Sequence, residues 1–274
     1  MTTHQFETHR PVDVYVENGS GSVIVNAEDV TETTVEVTGR HADETIVQQD
    51  GDRISVLAPK MRAGFFGGDT SLSMVITVPL DSTVAAKTGS ADITADGRFA
   101  AAQIKSGSGE VTVETLSGAA QIETGSGDIR VATAGDALRI KSGSGDVRVT
   151  HADGAVSVST GSGDVEIGTS NGPAVVKTGS GDLSVIESRA DVAMTTGSGD
   201  FVVRTANRGR LTAKGASGDV HIGIPAGVPV WTDISTVTGE IRSSLTAVGE
   251  PGADADHVEL RAKSVSGDVV LTQV

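Results

Sequence analysis

The sequence has no cysteine, few aromatic residues and no long apolar run, and each shortage excludes a class of protein. Without cysteine, the chain can form neither disulfides nor Cys-ligated zinc sites, and it cannot use thiol catalysis. No apolar segment approaches the roughly 18 residues that a membrane span needs. The N-terminus lacks the basic and apolar regions of a signal peptide. We therefore expect no membrane span. The sequence as given predicts a cytoplasmic protein, or an envelope-associated one if a leader has been removed.

The charge and the small residues narrow the choice further. The formal net charge is −15 over 274 residues, and no stretch forms a basic patch, so we expect no nucleic-acid partner. There are 35 glycines against 7 prolines, which indicates many tight turns. Only 3% of the residues are aromatic. The core is therefore aliphatic, and its Val and Ile residues favour β-structure.

One five-residue pattern, Thr/Ser-Gly-Ser-Gly-Asp, recurs through the middle of the chain. Successive copies are 18 residues apart, and their acidic residues are Asp92, Glu110, Asp128, Asp146, Asp164, Asp182 and Asp200. Degenerate copies end at Asp219, Glu240 and Asp268. Between the turns, two pairs of apolar residues recur with a period of 2, as in Val147 and Val149 and then Val156 and Val158. Each copy thus predicts two short strands that face one core.

The repeat predicts an all-β fold, a parallel β-solenoid (β-helix) of 18-residue, two-strand coils, right-handed like most parallel connections. Stacked coils form apolar columns such as Ile104, Ile122, Ile140, Val158, Val176 and Met194. A hexapeptide β-helix is excluded, because the sixth residue after Val147 is Asp153. An antiparallel sandwich would not keep a fixed 18-residue column, and the glycine content excludes a helical repeat.

We expect one structural domain with three regions. Residues 1–86 have longer strands and predict a broader N-terminal cap that continues the solenoid. Residues 87–203 are the regular coils, and residues 204–274 are irregular coils with insertions around Pro225–Pro229 and Ala247–Asp256. The last strand, Asp268–Val274, has no evident cap, so its open edge is expected to be available for pairing with another molecule.

The turn residues have a structural interpretation. Glycines such as Gly143 and Gly145 are expected to adopt positive φ in a tight corner, and the acids to accept backbone N–H bonds. Thr124, Thr160, Thr178 and Thr196 share the inward phase and are expected to close the corner. Outward lysines lie five positions before an acid and could neutralise the acidic column: Lys105, Lys141, Lys177, Lys214 and Lys263.

Calcium is the alternative interpretation of the acidic column. The pattern resembles half of the repeat-in-toxin nonapeptide, which binds Ca²⁺ between turns, but here the acid follows glycine directly and the opposite turn lacks the motif. The candidate ligands are Asp128, Asp146, Asp164, Asp182 and Asp200. Turn geometry accounts for these residues without a ligand, so we predict no metal and no cofactor.

No catalytic constellation is evident. The six histidines have no metal-ligand spacing, and phosphate-binding loops and nucleophile elbows are missing. The regular coils leave no room for the long loops with which β-helix enzymes wall a sugar groove. Two segments are candidates for interaction. Phe65 and Phe66 either cover the core end or contact a partner, and Trp231 either plugs the C-terminal core or forms a ligand platform.

The opening Val12–Ser22 segment, the strand that ends at Val78-Pro79 and the Thr-Gly-Ser-Gly-Asp series together resemble a bacterial β-strand-repeat family of unknown function, whose members are called putative adhesins. The resemblance covers nearly the whole chain and implies an envelope-associated or envelope-stress role. From the residues we predict a non-enzymatic scaffold or protein-interaction module that binds an unknown protein or self-associates through the solenoid ends. An adhesin-like surface module is the first alternative, and a carbohydrate-active β-helix enzyme is the second.

Overall fold

The computed structural model describes residues 1–59, 71–246 and 256–274, which divide into two compact units, Met1–Asp136 and Ala137–Val274. The described residues contain no α-helix. In both units, strands 18 residues apart lie side by side in parallel, so the predicted parallel β-solenoid is confirmed. Each coil contributes one strand to each of two facing sheets, and the inward residues of both sheets form the core.

The described part of the N-terminal unit has thirteen strands and a short 3₁₀ helix, Ala42–Glu44. The strands are β1 (Thr2–Glu7), β2 (Asp13–Asn18), β3 (Gly21–Glu28), β4 (Glu32–Gly39), β5 (Ile46–Asp50), β6 (Arg53–Leu57), β7 (Leu72–Pro79), β8 (Thr83–Thr88), β9 (Asp92–Phe99), β10 (Ala101–Ser106), β11 (Val111–Leu116), β12 (Ala120–Thr124) and β13 (Ile129–Ala134).

The described part of the C-terminal unit has fourteen strands. They are β14 (Leu138–Ser142), β15 (Val147–Ala152), β16 (Val156–Thr160), β17 (Val165–Ser170), β18 (Ala174–Lys177), β19 (Leu183–Ser188), β20 (Val192–Thr195), β21 (Phe201–Ala206), β22 (Gly209–Lys214), β23 (Val220–Ile224), β24 (Val230–Ser235), β25 (Ile241–Ser243), β26 (Val258–Lys263) and β27 (Val269–Gln273).

The predicted apolar columns are confirmed within each unit. Ile104 lies beside Ile122 in the N-terminal unit. In the C-terminal unit the same column runs through Ile140, Val158, Val176 and Met194. These side chains are at most 1% exposed. Burying a Val, Ile or Met side chain contributes about 1.5–3 kcal/mol, and the repeat adds several such residues with every coil. Stacking therefore builds a core that no single coil has.

The glycines of the repeat are needed for close approach, and the expectation of positive φ is wrong for them. Neither Gly143 nor Gly145 is among the described glycines with positive φ. A Cβ on Gly181 would instead lie 2.1 Å from the backbone oxygen of Gly163 in the neighbouring coil, and one on Gly199 would lie 1.9 Å from that of Gly181. Because the turns stack directly on one another, this position has no room for a side chain.

The N-terminal unit departs from the coil topology at one end. Its strand orders are β1-β4-β7-β3-β9-β11-β13 and β5-β6-β2-β8-β10-β12. The pairs β7–β3 and β6–β2 are parallel, as in the coils. By contrast, β4 lies antiparallel to β7, β1 antiparallel to β4, and β5 antiparallel to β6. At this end, each sheet therefore finishes with antiparallel strand pairs, which the 18-residue repeat does not predict.

The C-terminal unit inverts the chain order of its last coils. Its strand orders are β14-β16-β18-β20-β22-β26-β24 and β15-β17-β19-β21-β23-β27-β25. The last strand, β27, is paired on both sides, with β23 and with β25. The expectation that the last strand has an open edge is therefore wrong. The final coil, β26 and β27, lies between β22–β23 on one side and β24–β25 on the other. The outermost strands of this end are β24 and β25.

Candidate functional site

The acidic column forms a ladder of hydrogen bonds in the C-terminal unit. Oδ1 of each Asp accepts the backbone N–H of the equivalent acid one coil further on. The N···O distances are 2.9 Å from Asp164 to Asp146, 2.8 Å from Asp182 to Asp164 and 2.7 Å from Asp200 to Asp182. The irregular coils continue the ladder, since Asp219 donates to Asp200, Asp268 to Asp219 and Glu240 to Asp268. The prediction that the acids accept backbone N–H bonds is confirmed, and the donor belongs to the next coil.

This ladder explains why an acid follows the second glycine. A carboxylate that accepts a backbone N–H makes a charge-assisted bond, stronger than one between neutral groups. The ladder bond engages one oxygen of each carboxylate, and Asp146, Asp164 and Asp182 are exposed to water. Among the described residues, no group of three or more His, Asp or Glu side chains is arranged to hold a metal ion. Calcium binding by the Asp column remains the alternative stated from the sequence.

The threonines of the motif close the corner, as predicted. Oγ1 of Thr178 accepts the backbone N–H of Gly181 at 2.8 Å, and Thr160 and Thr196 make the same bond to Gly163 and Gly199. Thr160 and Thr178 are 8% and 9% exposed. These hydroxyl groups accept hydrogen bonds from glycine N–H groups of the turn, so their role is structural.

Lys105 does not pair with the turn acid of its own coil as expected. Nζ of Lys105 lies 3.1 Å from Oε2 of Glu123, which occupies the same column one coil further on, so its partner is not Glu110. Strand register explains this difference, because it places side chains of neighbouring coils directly opposite one another. In the C-terminal unit, Lys214 lies beside Lys263 in register.

The outer face of β18, β20, β22, β26 and β24 concentrates basic side chains, and we name it the lysine face. Within the described part of the chain, no ion pair engages Lys177, Lys214 or Lys263, which share one outward column. Thr195 and Ser235 occupy the other positions of this column. Their short side chains leave the lysine ammonium groups accessible to a partner.

Glu259 and Asp233 are the acidic residues of the described lysine face, and Glu259 is neutralised by two arginines. Glu259 lies 2.7 Å from Nε of Arg210 and 2.6 Å from Nη2 of Arg261. The hydrogen bond from Arg210, together with that from Arg261, lowers the pKa of Glu259 below its usual value. The same bond raises the pKa of Arg210. Glu259 therefore compensates arginine charge and leaves the lysine column positive.

Trp231 lies at the edge of the lysine face. Its side chain is 55% exposed, and its register partner is the outward residue Glu259. The inward residues of β24 are Val230, Thr232 and Ile234, whose partners Val258, Leu260 and Ala262 are buried. The alternative that Trp231 plugs the core is therefore wrong, because the alternation of the strand directs it outward. Phe65 and Phe66 lie outside the described residues.

Sequence reasoning did not predict a cavity of about 570 Å³ in the N-terminal unit. The ends of β2 and β8 line it with Asn18 and Lys87, and His41 and Pro59 contribute from elsewhere. Asn18 is 3% exposed, and its Nδ2 donates to the backbone oxygen of Leu72 at 3.0 Å. Its Oδ1 is buried without a hydrogen-bond partner. The cavity escapes prediction because it joins residues from separate segments that share no motif.

Membrane insertion by a helix finds no support, since no helix among the described residues is both long and apolar enough to cross a bilayer. No curated protein sequence matches the chain. Solved structures similar to the chain include a "putative adhesin" from Bacteroides fragilis, with 11% identity, 98% of this chain and 96% of that chain covered, and a TM-score of 0.40.

Two further solved structures are from Parabacteroides. The chain is similar to a "putative lipid binding protein" from P. distasonis (13% identity, 100% of this chain and 96% of that chain, TM-score 0.36). It is also similar to a "putative adhesin" from P. merdae (13% identity, 98% and 95%, TM-score 0.34). One family model, Toastrack DUF4097, matches residues 13–173 and again residues 138–272, so that together the two matches cover most of the sequence. The chain belongs to the Toastrack DUF4097 family.

Proposed function

We propose that this protein is a non-enzymatic β-solenoid scaffold that binds an acidic protein partner through the lysine face. The observation that carries the proposal is the pairing of Lys214 with Lys263 in neighbouring coils. Like charges directly opposite one another in a sheet destabilise it. The lysine pair does not stabilise the fold, whereas an acidic partner bound over the two lysines would offset their repulsion.

The geometry of the face fits a partner protein. It is one side of a regular sheet, so its side chains lie in straight columns, with successive side chains of a column about 4.8 Å apart. Lys177, Lys214 and Lys263 are exposed along one column, and Trp231 offers an apolar side chain at the edge. Exposed Trp and Arg side chains, here Trp231, Arg210 and Arg261, are typical of interaction surfaces. The overall charge of −15 makes this basic face distinct from the rest of the molecule.

The use of polar residues within the fold supports a non-enzymatic role. The repeated Asp and Thr side chains bind the turn backbone of their own or the next coil. Arg210 and Arg261 bind Glu259. A catalytic site needs acids, bases or nucleophiles that converge on a substrate. These groups instead lie in parallel columns along the surface and bind backbone or one another.

The test compares two double variants that remove the same charge. Lys214→Gln/Lys263→Gln neutralises the adjacent pair on the lysine face. Lys87→Gln/Lys105→Gln is the matched control, since its lysines also lie in neighbouring coils but have Glu17 and Glu123 in the flanking register positions. The probe is poly-L-glutamate, titrated by calorimetry. Proteins that cross-link to the chain in the native host identify the physiological partner.

We expect wild type and the control to bind the acidic probe alike. The Lys214/Lys263 variant should bind the probe more weakly, by up to about fivefold, which is the loss expected from two exposed charge pairs. Binding should weaken as salt rises from about 0.05 M to about 0.5 M, because exposed charges are screened. Equal affinity of all three proteins would reject the lysine face as the binding surface.

A further inference from the structure

The end of the C-terminal unit is formed by β24 and β25, and each is the outermost strand of its sheet. β24 is paired with β26 and β25 with β27. On their other sides, no described strand continues either sheet. This end therefore presents two open strand edges, which are templates for pairing with another chain.

The backbone groups that face the open edge of β24 follow from its pairing with β26. The N–H of Val258 donates to the oxygen of Pro229, and that of Ser264 donates to the oxygen of Ser235. In a parallel ladder, alternate residues direct both backbone groups to the neighbour. The odd-numbered residues of β24 therefore bind β26. Val230, Thr232 and Ile234 direct their N–H and C=O groups to the open edge.

The same three residues continue the inner columns of the core, and so does Ile241 on β25. In the layer beneath, Val258, Ala262 and Val269 are at most 1% exposed. In the outer layer, Ile241 is 53% exposed and Thr232 is also exposed, while Val230 and Ile234 are half-buried. An apolar end of the core thus coincides with unpaired strand edges.

We propose that two copies of this protein pair through β24, antiparallel, with Thr232 of each copy at a two-fold axis. A second copy supplies what this end lacks, namely an identical open edge and identical apolar residues. Two-fold pairing of one patch with itself is the commonest arrangement in protein dimers. The proposal names one partner for the scaffold but uses a different surface from the lysine face.

The strand itself selects this register. In an antiparallel pair, opposite residues point to the same face, so an inward residue of β24 must oppose an inward residue of the partner copy. Centring the pair on Thr232 sets Val230 against Ile234 and Trp231 against Asp233. Moving the centre to Asp233 would oppose two like charges, which is unfavourable. Moving it to Trp231 would set Ile234 opposite Val228, which lies before β24 begins and whose N–H is used in a turn with Pro225.

The other terminal edges favour this symmetric dimer over a head-to-tail filament. In the N-terminal unit, the inward positions of the outermost strands β1 and β5 hold the apolar residues Phe6 and Val47 but also three polar residues, Thr2, His4 and Gln49. Polar residues at these positions match poorly with Val230, Ile234 and Ile241. The apolar end of the C-terminal unit is best matched by a copy of itself.

The contact is small, so the dimer should be weak. A strand of six residues is about 20 Å long, and facing sheets lie about 10 Å apart. Two such ends bury only a few hundred square ångströms, below the roughly 1,200 Å² of stable complexes. We therefore expect a monomer–dimer equilibrium that depends on protein concentration.

The first experiment is sedimentation equilibrium over a wide concentration range. Wild type should rise from the monomer mass of 27.7 kDa toward twice that value. Thr232→Pro removes an N–H that faces away from β26, toward the open edge, and proline is tolerated at such edge positions. This variant should therefore fold but remain monomeric. Thr232→Val keeps the edge N–H and should dimerise like wild type.

The second experiment tests the register through a disulfide. The native chain has no cysteine, so a single introduced thiol can cross-link only to another copy. Hydrogen-bonded antiparallel partners have Cα atoms about 5.5 Å apart, within disulfide range. Thr232→Cys should therefore form a covalent dimer on mild oxidation. In the matched variant Asp233→Cys the thiols would be diagonal neighbours about 7–8 Å apart, too far for efficient bridging.

Three outcomes would overturn the proposal. These are a wild type that stays monomeric at every concentration, a Thr232→Pro variant that dimerises like wild type, and cross-linking of Asp233→Cys in preference to Thr232→Cys. Lys214→Gln/Lys263→Gln should dimerise normally, because its charges lie on the outer face. Loss of acidic-probe binding and loss of dimerisation are thus separable, and either proposal can fail alone.

Discussion

Asp182 lies in the middle of the acidic ladder, and two substitutions there separate its hydrogen bond from its charge. Its Oδ1 accepts the N–H of Asp200 at 2.7 Å, while its own N–H donates to Asp164 at 2.8 Å. Asp182→Asn removes the charge and keeps an acceptor oxygen at the same place. Asp182→Ala removes both. The difference between the two variants therefore measures the hydrogen bond, because the loss of charge is common to them.

The expected magnitudes follow from the geometry of the ladder. Two carboxylates about 5 Å apart repel by about 1 kcal/mol in water, so removing the charge relieves repulsion from both neighbours. The bond to the backbone N–H contributes about 1 kcal/mol, because Asp182 is exposed and water can replace part of it. We expect Asp182→Asn to be as stable as wild type or more stable. Asp182→Ala should be about 1 kcal/mol less stable than Asp182→Asn.

Thermal unfolding at neutral pH measures this difference. One kcal/mol corresponds to a shift of about 2–4 °C for a chain of this size. Any advantage of Asp182→Asn over wild type should shrink at high salt, since screening weakens the repulsion. The gap between the Asn and Ala variants should remain. Equal midpoints for these two variants would refute the ladder as a source of stability.

Three further predictions concern the turn, the ion pair and calcium. Gly181→Ala should destabilise the protein by about 1–3 kcal/mol in urea unfolding, because its Cβ would meet backbone at 2.1 Å. Gly19→Ala, with nothing within 4 Å of the added Cβ, should cost far less, and equal losses would contradict the stacking argument. Because its pKa is lowered in the folded protein, Glu259 stabilises the fold above its unfolded pKa, near 4.5, and this contribution disappears as the pH falls through the folded value. Glu259→Gln should therefore melt below wild type at pH 7 and together with it at strongly acidic pH; a constant gap would argue against this linkage. Melting midpoints with calcium and with EGTA should coincide if the Asp column is a solvated structural ladder, whereas a higher midpoint with calcium would establish the metal alternative.

The regular coils could be predicted because their information is local and repeated. A residue such as Val158 recurs as Val176 after 18 positions, and a parallel stack places equivalent residues side by side. The inward phase of Thr178 follows from the same alternation. The motif also indicated acids that bind backbone N–H groups. It did not reveal that the donor lies one coil further on, because that depends on the stacking distance.

The partners of the charged residues could not be predicted in the same way. Lys105 is close in sequence to Glu110, but register places it opposite Glu123. The outward lysine column was predicted, but the direct pairing of Lys214 with Lys263 was not. These two residues are 49 positions apart, and only the insertion of β26 beside β22 brings them together. Trp231 was the exception. Its outward direction could have been inferred from the alternation of Val230, Thr232 and Ile234.

The sequence by itself determined the coil, its length, its aliphatic core and the turn between its strands, since apolar alternation and glycine spacing act within one repeat. Only the tertiary structure decided which strands close the ends. The antiparallel-paired strands β1, β4 and β5, and the last coil between β22–β23 and β24–β25, obey the same alternation as the regular coils. Alternation specifies which face of a strand is buried. It leaves the choice of neighbouring strand to the packing of the whole chain, and that choice created both the lysine face and the open edge of β24.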